Sequence, residues 1–324
     1  MKDNQLISVV IPTFNRQNTI SYCLASVLAQ TYKDIEVIVV DDCSMDNTVS
    51  IVNSYPDSRV RCLVLEKNSG AQTARNKGIL EAKSDWIAFQ DSDDEWVPDK
   101  LEKQVTVLAN ADYYPWSLIY CNAYRFDKAR GIKSLRLLPV VEGEDQYATL
   151  LQAPAPLYPT IITSKKALEK IGYLDEQVPS FQEWDTSIRL AKYCRITHLK
   201  EPLMIYHAGG GDTISGSATK HVEGLHYIIN KYESDIKELC GEEAWLKLNV
   251  QLLGTCLNSD LTDYYDRYRS KISILRENRL IMCYLMICRK YRIRPSNVIY
   301  RLFRKLFQIS NYFGLEKGSI ITHI

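Results

Sequence analysis

The chain has 324 residues, with 40 Lys/Arg against 39 Asp/Glu and 46% hydrophobic residues. That composition excludes wholesale disorder, and only 14 Gly and 11 Pro exclude a collagen-like or low-complexity architecture. The length predicts about two domains. Nine cysteines, an odd number without a CxxC pair, predict reduced thiols rather than a disulfide framework. The opening MKDNQLISVVIPTF has no basic segment before an apolar core, so a cytoplasmic rather than secreted chain is expected. The net charge of +1 conceals two unlike parts. From Arg267 onward thirteen Lys/Arg meet two Asp/Glu, a net of +11, which leaves −10 on residues 1–266.

In chain order, Ser8–Pro12 (SVVIP) reads as a strand buried on both faces. A helix follows, with Ile20, Leu24, Val27 and Leu28 on one side. Ile35–Val40 (IEVIVV) is a second buried strand and Val60–Leu65 a third. A helix is expected over about Ala71 to Ala82, then a fourth strand at Trp86–Phe89. A further helix starts at Pro98 and carries Leu101, Val105 and Leu108, since Pro is tolerated in a first turn. Strand and helix alternating at this spacing predict right-handed βαβ units and an α/β fold with a mostly parallel sheet. Residues 131–225 are less regular. Gln152–Thr160 reads as a Pro-rich loop over the sheet, residues 164–172 and 184–193 as helices, and Gly209–Gly211 as a hinge or lid. Past Glu223 helical patterns dominate to Gln308, so the expected division is 1–223 and 224–324, the second part basic from about residue 267. No internal repeat is visible.

Polar residues cluster directly after strands, at Thr13–Arg16, Asp41–Asp46 and Asp91–Asp94. In open α/β sheets the ligand lies outside the carboxyl ends of the strands, so the three clusters converge on one crevice. Asp91 and Asp93, at i and i+2 after an apolar strand, suit a Mg²⁺ or Mn²⁺ ion shared with phosphate oxygens, because these hard cations are held by one or two carboxylates plus substrate phosphate. The plain alternative is an Asp-rich turn capping the next helix. Asp42 is placed to accept from a base imide or a ribose hydroxyl, whereas Asp46 reads as a helix cap.

The series VVIPTFNR at 9–16, DDCS at 41–44, GAQTARNKG at 70–78, FQDSDDEWVPDKL at 89–101 and QEWDTSIRLAKY at 182–193 resembles the family 2 glycosyltransferases. The resemblance spans roughly residues 6–215 and implies a GT-A fold and an inverting enzyme that uses nucleotide-diphosphate sugars. It implies that Pro12 and Phe14 line the base, with Thr13 and Asn15 beside them and Asp42 bonded to the base. It makes Asp91 and Asp93 the D-x-D pair around Ser92, and Asp93 the foremost ligand of Mn²⁺ or Mg²⁺. Arg75 would order the site around the D-x-D strand, the alternative being an ordinary surface ion pair. The catalytic base falls in the acidic pair before a helix. Glu183 is the choice and Asp185 the runner-up, Asp185 being also spaced to pair with Arg189. His207, where relatives of this kind often have Arg, is a candidate for the diphosphate or metal. Cys43 replaces a Gly common in that turn.

The implied reaction is one in-line displacement, with a carboxylate taking the proton of an acceptor hydroxyl. UDP is the commonest nucleotide in such enzymes, with GDP and dTDP left open, and a saccharide or lipid-linked acceptor in surface polysaccharide assembly is implied. Leu280–Cys288 is far short of the ~20 residues that span a bilayer. Val298, Leu302 and Leu306 with Ile299, Phe303 and Phe307 oppose Arg301, Arg304 and Lys305, a basic amphipathic helix suited to peripheral contact with an anionic membrane through residues 280–309. Packing of that face on the catalytic part or on a second copy, as a homo-oligomer, is the alternative. No nucleic-acid motif accompanies the charge. A nucleotidyl- or phosphoryl-transfer enzyme is disfavoured because no GxxxxGK[ST] loop exists, and a non-catalytic binding protein because the acidic set is complete.

Overall fold

The computed structural model describes residues 5–154, 156–208 and 217–270. The expected Gly209–Gly211 lid and the amphipathic segment at 280–309 lie outside the described residues. The chain divides into two compact units, Met1–Thr213 and Ile214–Ile324. The sequence-based boundary at 223/224 falls instead inside a helix, Ala218–Lys231, which starts where the Ser217 side chain accepts from Lys220 N.

In the first unit β1 (Ile7–Thr13), β2 (Ile35–Asp41) and β4 (Trp86–Phe89) are buried at every position, as the apolar runs require of strands covered on both faces. Helices α1 (Ile20–Leu28), α2 (Thr48–Asn53), α3 (Ala71–Glu81) and α4 (Lys100–Asn110) alternate with them and with β3 (Val60–Val64). The order β3-β2-β1-β4 is parallel throughout. Strand order reverses at β1, where the chain leaves β3 and returns on the far side of β1 as β4. That reversal opens a crevice at the carboxyl ends of β1 and β4.

Pro12 helps to open it. Thr13 O accepts from Asp42 N on the β2 side and Val10 O from Gln90 N on the β4 side, so the alternate residue Pro12 turns its missing N–H toward β4. β4 pairs with β1 only as far as Val10↔Phe89. The lost donor therefore faces no strand, and the two chains separate at the site.

The remaining strands are mixed, which refines the mostly parallel expectation. β8 (Ile162–Ser164) is antiparallel to β4 and to β6 (Ser117–Asp127), while β6 is parallel to β9 (Arg195–Ala208). β5 (Glu95–Trp96) pairs antiparallel with β9, and β7 (Ile132–Arg136) pairs with β6. None of β5 to β9 was expected from sequence. The register of β6 on β9 slips around Asn122, opposite Pro202, and Asn122 itself mends the gap, donating to Lys200 O and accepting from Leu138 N. The Pro-rich stretch carries more order than expected, with α5 (Gln146–Gln152) before it and a short 3-10 turn at Tyr158–Thr160. Helices α6 (Lys165–Lys170) and α7 (Gln182–Ala191) match the two expected there, α7 beginning two residues early. Pro98 lies before the Asp99 cap of α4 rather than in its first turn.

The second unit, as far as it is described, is four helices: α8 (Ala218–Lys231), α9 (Glu233–Cys240), α10 (Glu242–Asn258) and α11 (Thr262–Arg269). Val222, Leu225, Ile228 and Ile229 of α8 and Leu252, Leu253 and Cys256 of α10 are buried. No described helix is long and apolar enough to cross a membrane. The seven described cysteines are free thiols.

Two packing details make predictions. A Cβ on Gly78 of α3 would collide with Val10 Cγ1 and lie 3.3 Å from Val40 Cγ2. Gly78→Ala should thus lose stability in urea titration, since overpacking costs about 1–3 kcal/mol against a helix-propensity gain of about 1, and Gly78→Val should lose more. Lys100 is fully buried, its ammonium 3.9 Å from the Trp96 ring centre and bonded to Gln104 Oε1 at 2.8 Å. Burial lowers it from the ordinary 10.5 to about 8. Between those values the unfolded chain holds a proton that the folded chain has released, so stability rises with pH across that window. Relative to Lys100→Met, the wild type should gain on the order of 3 kcal/mol between pH 8 and 10.5. Equal pH slopes for the two proteins would contradict the burial argument.

Candidate active site

Thr13–Arg16 after β1, Asp41 and Asp42 at the end of β2, and Asp91–Asp94 after β4 all reach the crevice edge. Asn15 (φ 51°) and Cys43 (φ 65°) hold left-handed backbone in the first two loops. Asn tolerates that conformation; Cys43 adopts what a Gly would take freely. Asn15 ties the loops together, its N–H donating to Ser44 Oγ and its Oδ1 accepting from Met45 N. Ser44 in turn is held by Asp41, whose carboxylate accepts from its N–H and hydroxyl. Asp46 lies one residue before Asn47, the N-cap of α2, rather than at the cap itself, and accepts from Thr48 N and Gln17 N. Thr13 Oγ1 is buried with no hydrogen-bond partner.

Asp42 is committed differently from its expected role. One carboxylate oxygen accepts from Ser69 N at 2.7 Å and the other from Gly70 N at 2.8 Å, so the residue fastens the turn that starts α3. It is also nearly buried. Each oxygen keeps a second lone pair, and any bond to a base comes in addition to this anchoring.

Arg75 is no surface ion pair. Its guanidinium is buried over the Tyr158 ring, 4.2 Å from the centroid, and donates to Asp91 Oδ1 at 2.7 Å, Gln72 Oε1 at 3.0 Å and Gln182 Oε1 at 3.4 Å. One residue of α3 thereby joins the D-x-D loop to the first turn of α7. Tyr158 completes the joint, its hydroxyl bonded to Gln72 and Thr186. Neither Tyr158 nor Gln182 was singled out from sequence, because the signal is a meeting of four distant segments. The loop backbone is pinned as well: Tyr22 Oη donates to Asp93 O at 2.8 Å.

The three acids of the loop part company. Asp91 pairs with Arg75 and Asp93 faces Arg16 Nε at 3.7 Å, both carboxylates about one-third exposed. Burial and the Asp91 charge raise the Asp93 carboxyl above its ordinary range, with Arg16 opposing. Asp94 turns inward, accepts from His207 N at 2.9 Å, and is raised much further by burial and by its two neighbours. Ser92 is buried between them. His207 bonds Glu95 Oε1 through Nε2 at 2.6 Å, while Nδ1 is buried without a partner. Among the described residues no group of three or more His, Cys, Asp or Glu side chains is arranged to hold a metal. A cation here needs oxygens from a ligand, and Asp93, whose charge adds to that of Asp91 and is opposed first by Arg16, fits that demand.

The acidic pair on α7 separates just as clearly. Asp185 is buried and bonded to Arg189 Nε at 2.8 Å, and the same guanidinium donates to Ile171 O and Tyr173 O. It joins α7 to the end of α6. Glu183 accepts no hydrogen bond from another described residue. Burial first and the Asp91 charge second raise its carboxyl above the ordinary glutamate range, with Arg75 and Arg136 opposing.

A sheet of this order with carboxylates at the ends of β2 and β4 is that of the GT-A glycosyltransferases, and the fold is shared with solved examples. Staphylococcus aureus TarS 1-349 in complex with UDP-GlcNAc superposes with a TM-score of 0.58 at 19% identity, over 92% of each chain. The mannosyltransferase PcManGT from Pyrobaculum calidifontis, in complex with GDP-Man and Mn²⁺, superposes at 0.56 and 16% identity over 90% of this chain and 89% of that one. The chain belongs to glycosyl transferase family 2, whose model matches residues 8–172, about half of it. A putative teichuronic acid biosynthesis glycosyltransferase, TuaG of Bacillus subtilis, is 46% identical over 105 residues, 32% of this chain and 42% of that protein. The Escherichia coli WfaP, a UDP-Glc:alpha-D-GlcNAc-diphosphoundecaprenol beta-1,3-glucosyltransferase, is 31% identical over 207 residues, 63% of this chain and 79% of that one. The alignment with TuaG thus spans less than half of that relative's length.

Proposed function

We propose that this protein is an inverting, metal-dependent glycosyltransferase that moves a sugar from a nucleotide-diphosphate donor, UDP-linked in the first instance, to a hydroxyl of a saccharide or lipid-linked acceptor during assembly of a surface polysaccharide. The observation that carries the reading is Glu183, a carboxylate at the start of α7 that accepts no hydrogen bond from another described residue, joined through the Gln182–Arg75–Asp91 contacts to the loop that bears Asp93. TarS bound to UDP-GlcNAc, PcManGT bound to Mn²⁺, and the diphosphoundecaprenol acceptor of WfaP support donor, metal and acceptor in turn.

In this reading Pro12, Phe14 and Asn15 line the base, with Asp42 holding the wall behind it. Asp93, assisted by Asp91, would hold Mn²⁺ or Mg²⁺, whose charge stabilises the departing diphosphate. Arg75 fixes Asp91, and with it the loop, so that little reorganisation is left to the moment of reaction. Glu183 takes the acceptor proton as the new bond forms, on the face opposite the nucleotide, which inverts the configuration. Asp185 and Arg189 keep α7 in place and do not touch substrate. His207, held by Glu95, is assigned to positioning rather than to direct metal ligation. Catalysis belongs to the first unit. The second unit, which includes the basic segment from Arg267 onward, is assigned to placing the site at the cytoplasmic face of the membrane.

The reading is tested by incubating the full chain with UDP-, GDP- and dTDP-sugars, with Mn²⁺ and with EDTA, and scoring nucleotide release in the presence of saccharide acceptors. Release with one donor, lost in EDTA, is expected. Release with none, alongside undiminished phosphatase or nucleotidyl transfer, would overturn it.

A further inference from the structure

The hairpin of β6 and β7 supplies none of the residues given a role in the proposed reaction, Arg136 alone of its side chains acting on the Glu183 carboxyl. Its loop is Lys128–Gly131, and residues 128–135 are all exposed. Among the described strands β7 pairs with β6 alone, so its outer edge is open. Four large hydrophobic side chains stand in water within nine positions here: Ile132, Leu135, Leu137 and Val140, at 55, 56, 68 and 58% exposure. Single exposed apolar residues are ordinary, but a cluster of this density is not.

Charge is interleaved with them. Residues 125–136 contain Arg125, Lys128, Arg130, Lys133 and Arg136 against Asp127 alone, inside a stretch of 266 residues that carries −10. Arg125 is answered by Asp127 at 3.7 Å. The other four form no ion pair among the described residues. Lys133 and Arg136 instead lie over the Tyr124 and Tyr206 rings, at 4.0 and 5.1 Å.

We propose that the β6–β7 hairpin is a contact surface for an anionic lipid bilayer, which seats the crevice where a lipid-linked acceptor presents its hydroxyl. The acceptor part of this inference rests on the function proposed above. Basic side chains reach headgroup phosphates while neighbouring aliphatic ones enter the acyl boundary, the pairing of properties that interfacial segments show. Edge-to-edge pairing with a second copy would instead bring two strongly basic strands together, and charged edges oppose that. The hairpin also borders the site. Phe126 packs against the His207 ring at 5.5 Å, and Lys128 Nζ approaches the Tyr22 hydroxyl, which holds the Asp93 carbonyl, at 3.5 Å.

The experiment is co-sedimentation of the full chain with phosphatidylcholine vesicles, with and without phosphatidylglycerol and containing no acceptor. The combined Arg130→Gln and Lys133→Gln variant should bind the phosphatidylglycerol vesicles on the order of thirtyfold more weakly, each basic group contributing about fivefold. Leu135→Ser with Leu137→Ser should weaken binding as well. Both variants should keep the wild-type melting temperature and the wild-type nucleotide release with a soluble acceptor. Because full chains are compared, binding through any other segment is common to all. Unchanged partition in both variants overturns the proposal. So does a change in self-association without vesicles, which would make the edge a contact between copies. If the vesicle result holds but no nucleotide sugar is turned over, the hairpin stands and the catalytic reading fails.

Discussion

Glu183→Gln should lower kcat by about 10²–10⁴-fold, the usual contribution of a positioned general base, while the donor KM and the melting temperature stay near wild type. The side chain is nearly isosteric and accepts no hydrogen bond from another described residue, so its loss removes proton transfer and little else. Asp185→Asn is expected to fail in the opposite way. It breaks the buried pair with Arg189 and leaves a guanidinium facing only backbone carbonyls. Removing one partner of such a pair costs about 3–5 kcal/mol, so stability falls first and activity only with it. Steady-state kinetics and thermal melts on the two variants separate the roles. Near-normal transfer by Glu183→Gln, with transfer abolished in a fully folded Asp185→Asn, would reverse the assignment. As the proposed base Glu183 would work ionised, and burial, with the Asp91 charge, raises its carboxyl. The acid limb of kcat/KM should therefore lie above the ordinary glutamate range, activity being lost as pH falls through it.

Asp93→Asn should be comparably severe, on the order of 10²–10³-fold in kcat by analogy with loss of one electrostatic stabiliser. Its binding signature is more telling than its rate. The carboxylates of Asp91 and Asp93 repel a diphosphate unless a cation intervenes. The substitution should thus abolish the Mn²⁺-dependent part of UDP affinity, measured by calorimetry, while metal-free affinity stays equal or improves. Undiminished enhancement by Mn²⁺ in the variant would move the metal away from Asp93. Arg16, the nearest cation to Asp93, belongs to the same balance, although the sequence marked it only as part of a polar cluster.

The legible part of the fold was the part buried on both faces. IEVIVV, apolar but for Glu36, and WIAF read as buried runs because both faces of their strands are covered, and the acids that follow them stand out by contrast. β6 and β9 hide their pattern, for β9 is interrupted by Lys200–Pro202 and alternates only loosely between buried and half-exposed positions. β5, two residues long, has no period to read. At the site, residue types were visible but their directions were not. In sequence Asp42 stands out as a ligand candidate, Asp185 as a second choice of base and Asp94 only as part of an acidic cluster; one anchors α3, one binds Arg189 and one holds the β9 backbone. Those assignments depend on which backbone amide lies nearest, and that is set by strand order. The charge split seen at the outset also gains a second component, since an island of positive charge lies on the β6–β7 hairpin within the acidic part.

On the proposed function, the ends of β1, β2 and β4 hold a nucleotide diphosphate and its metal. Crystals of the full chain soaked with UDP and Mn²⁺, with anomalous data collected at the manganese edge, test it most directly. The expected result is an anomalous peak within coordination distance of an Asp93 oxygen, with uracil between the Pro12–Asn15 loop and the Asp42 turn and Glu183 open to the crevice. Nucleotide bound away from the β1–β4 crevice, or a manganese peak without Asp93 in its coordination sphere, would contradict it.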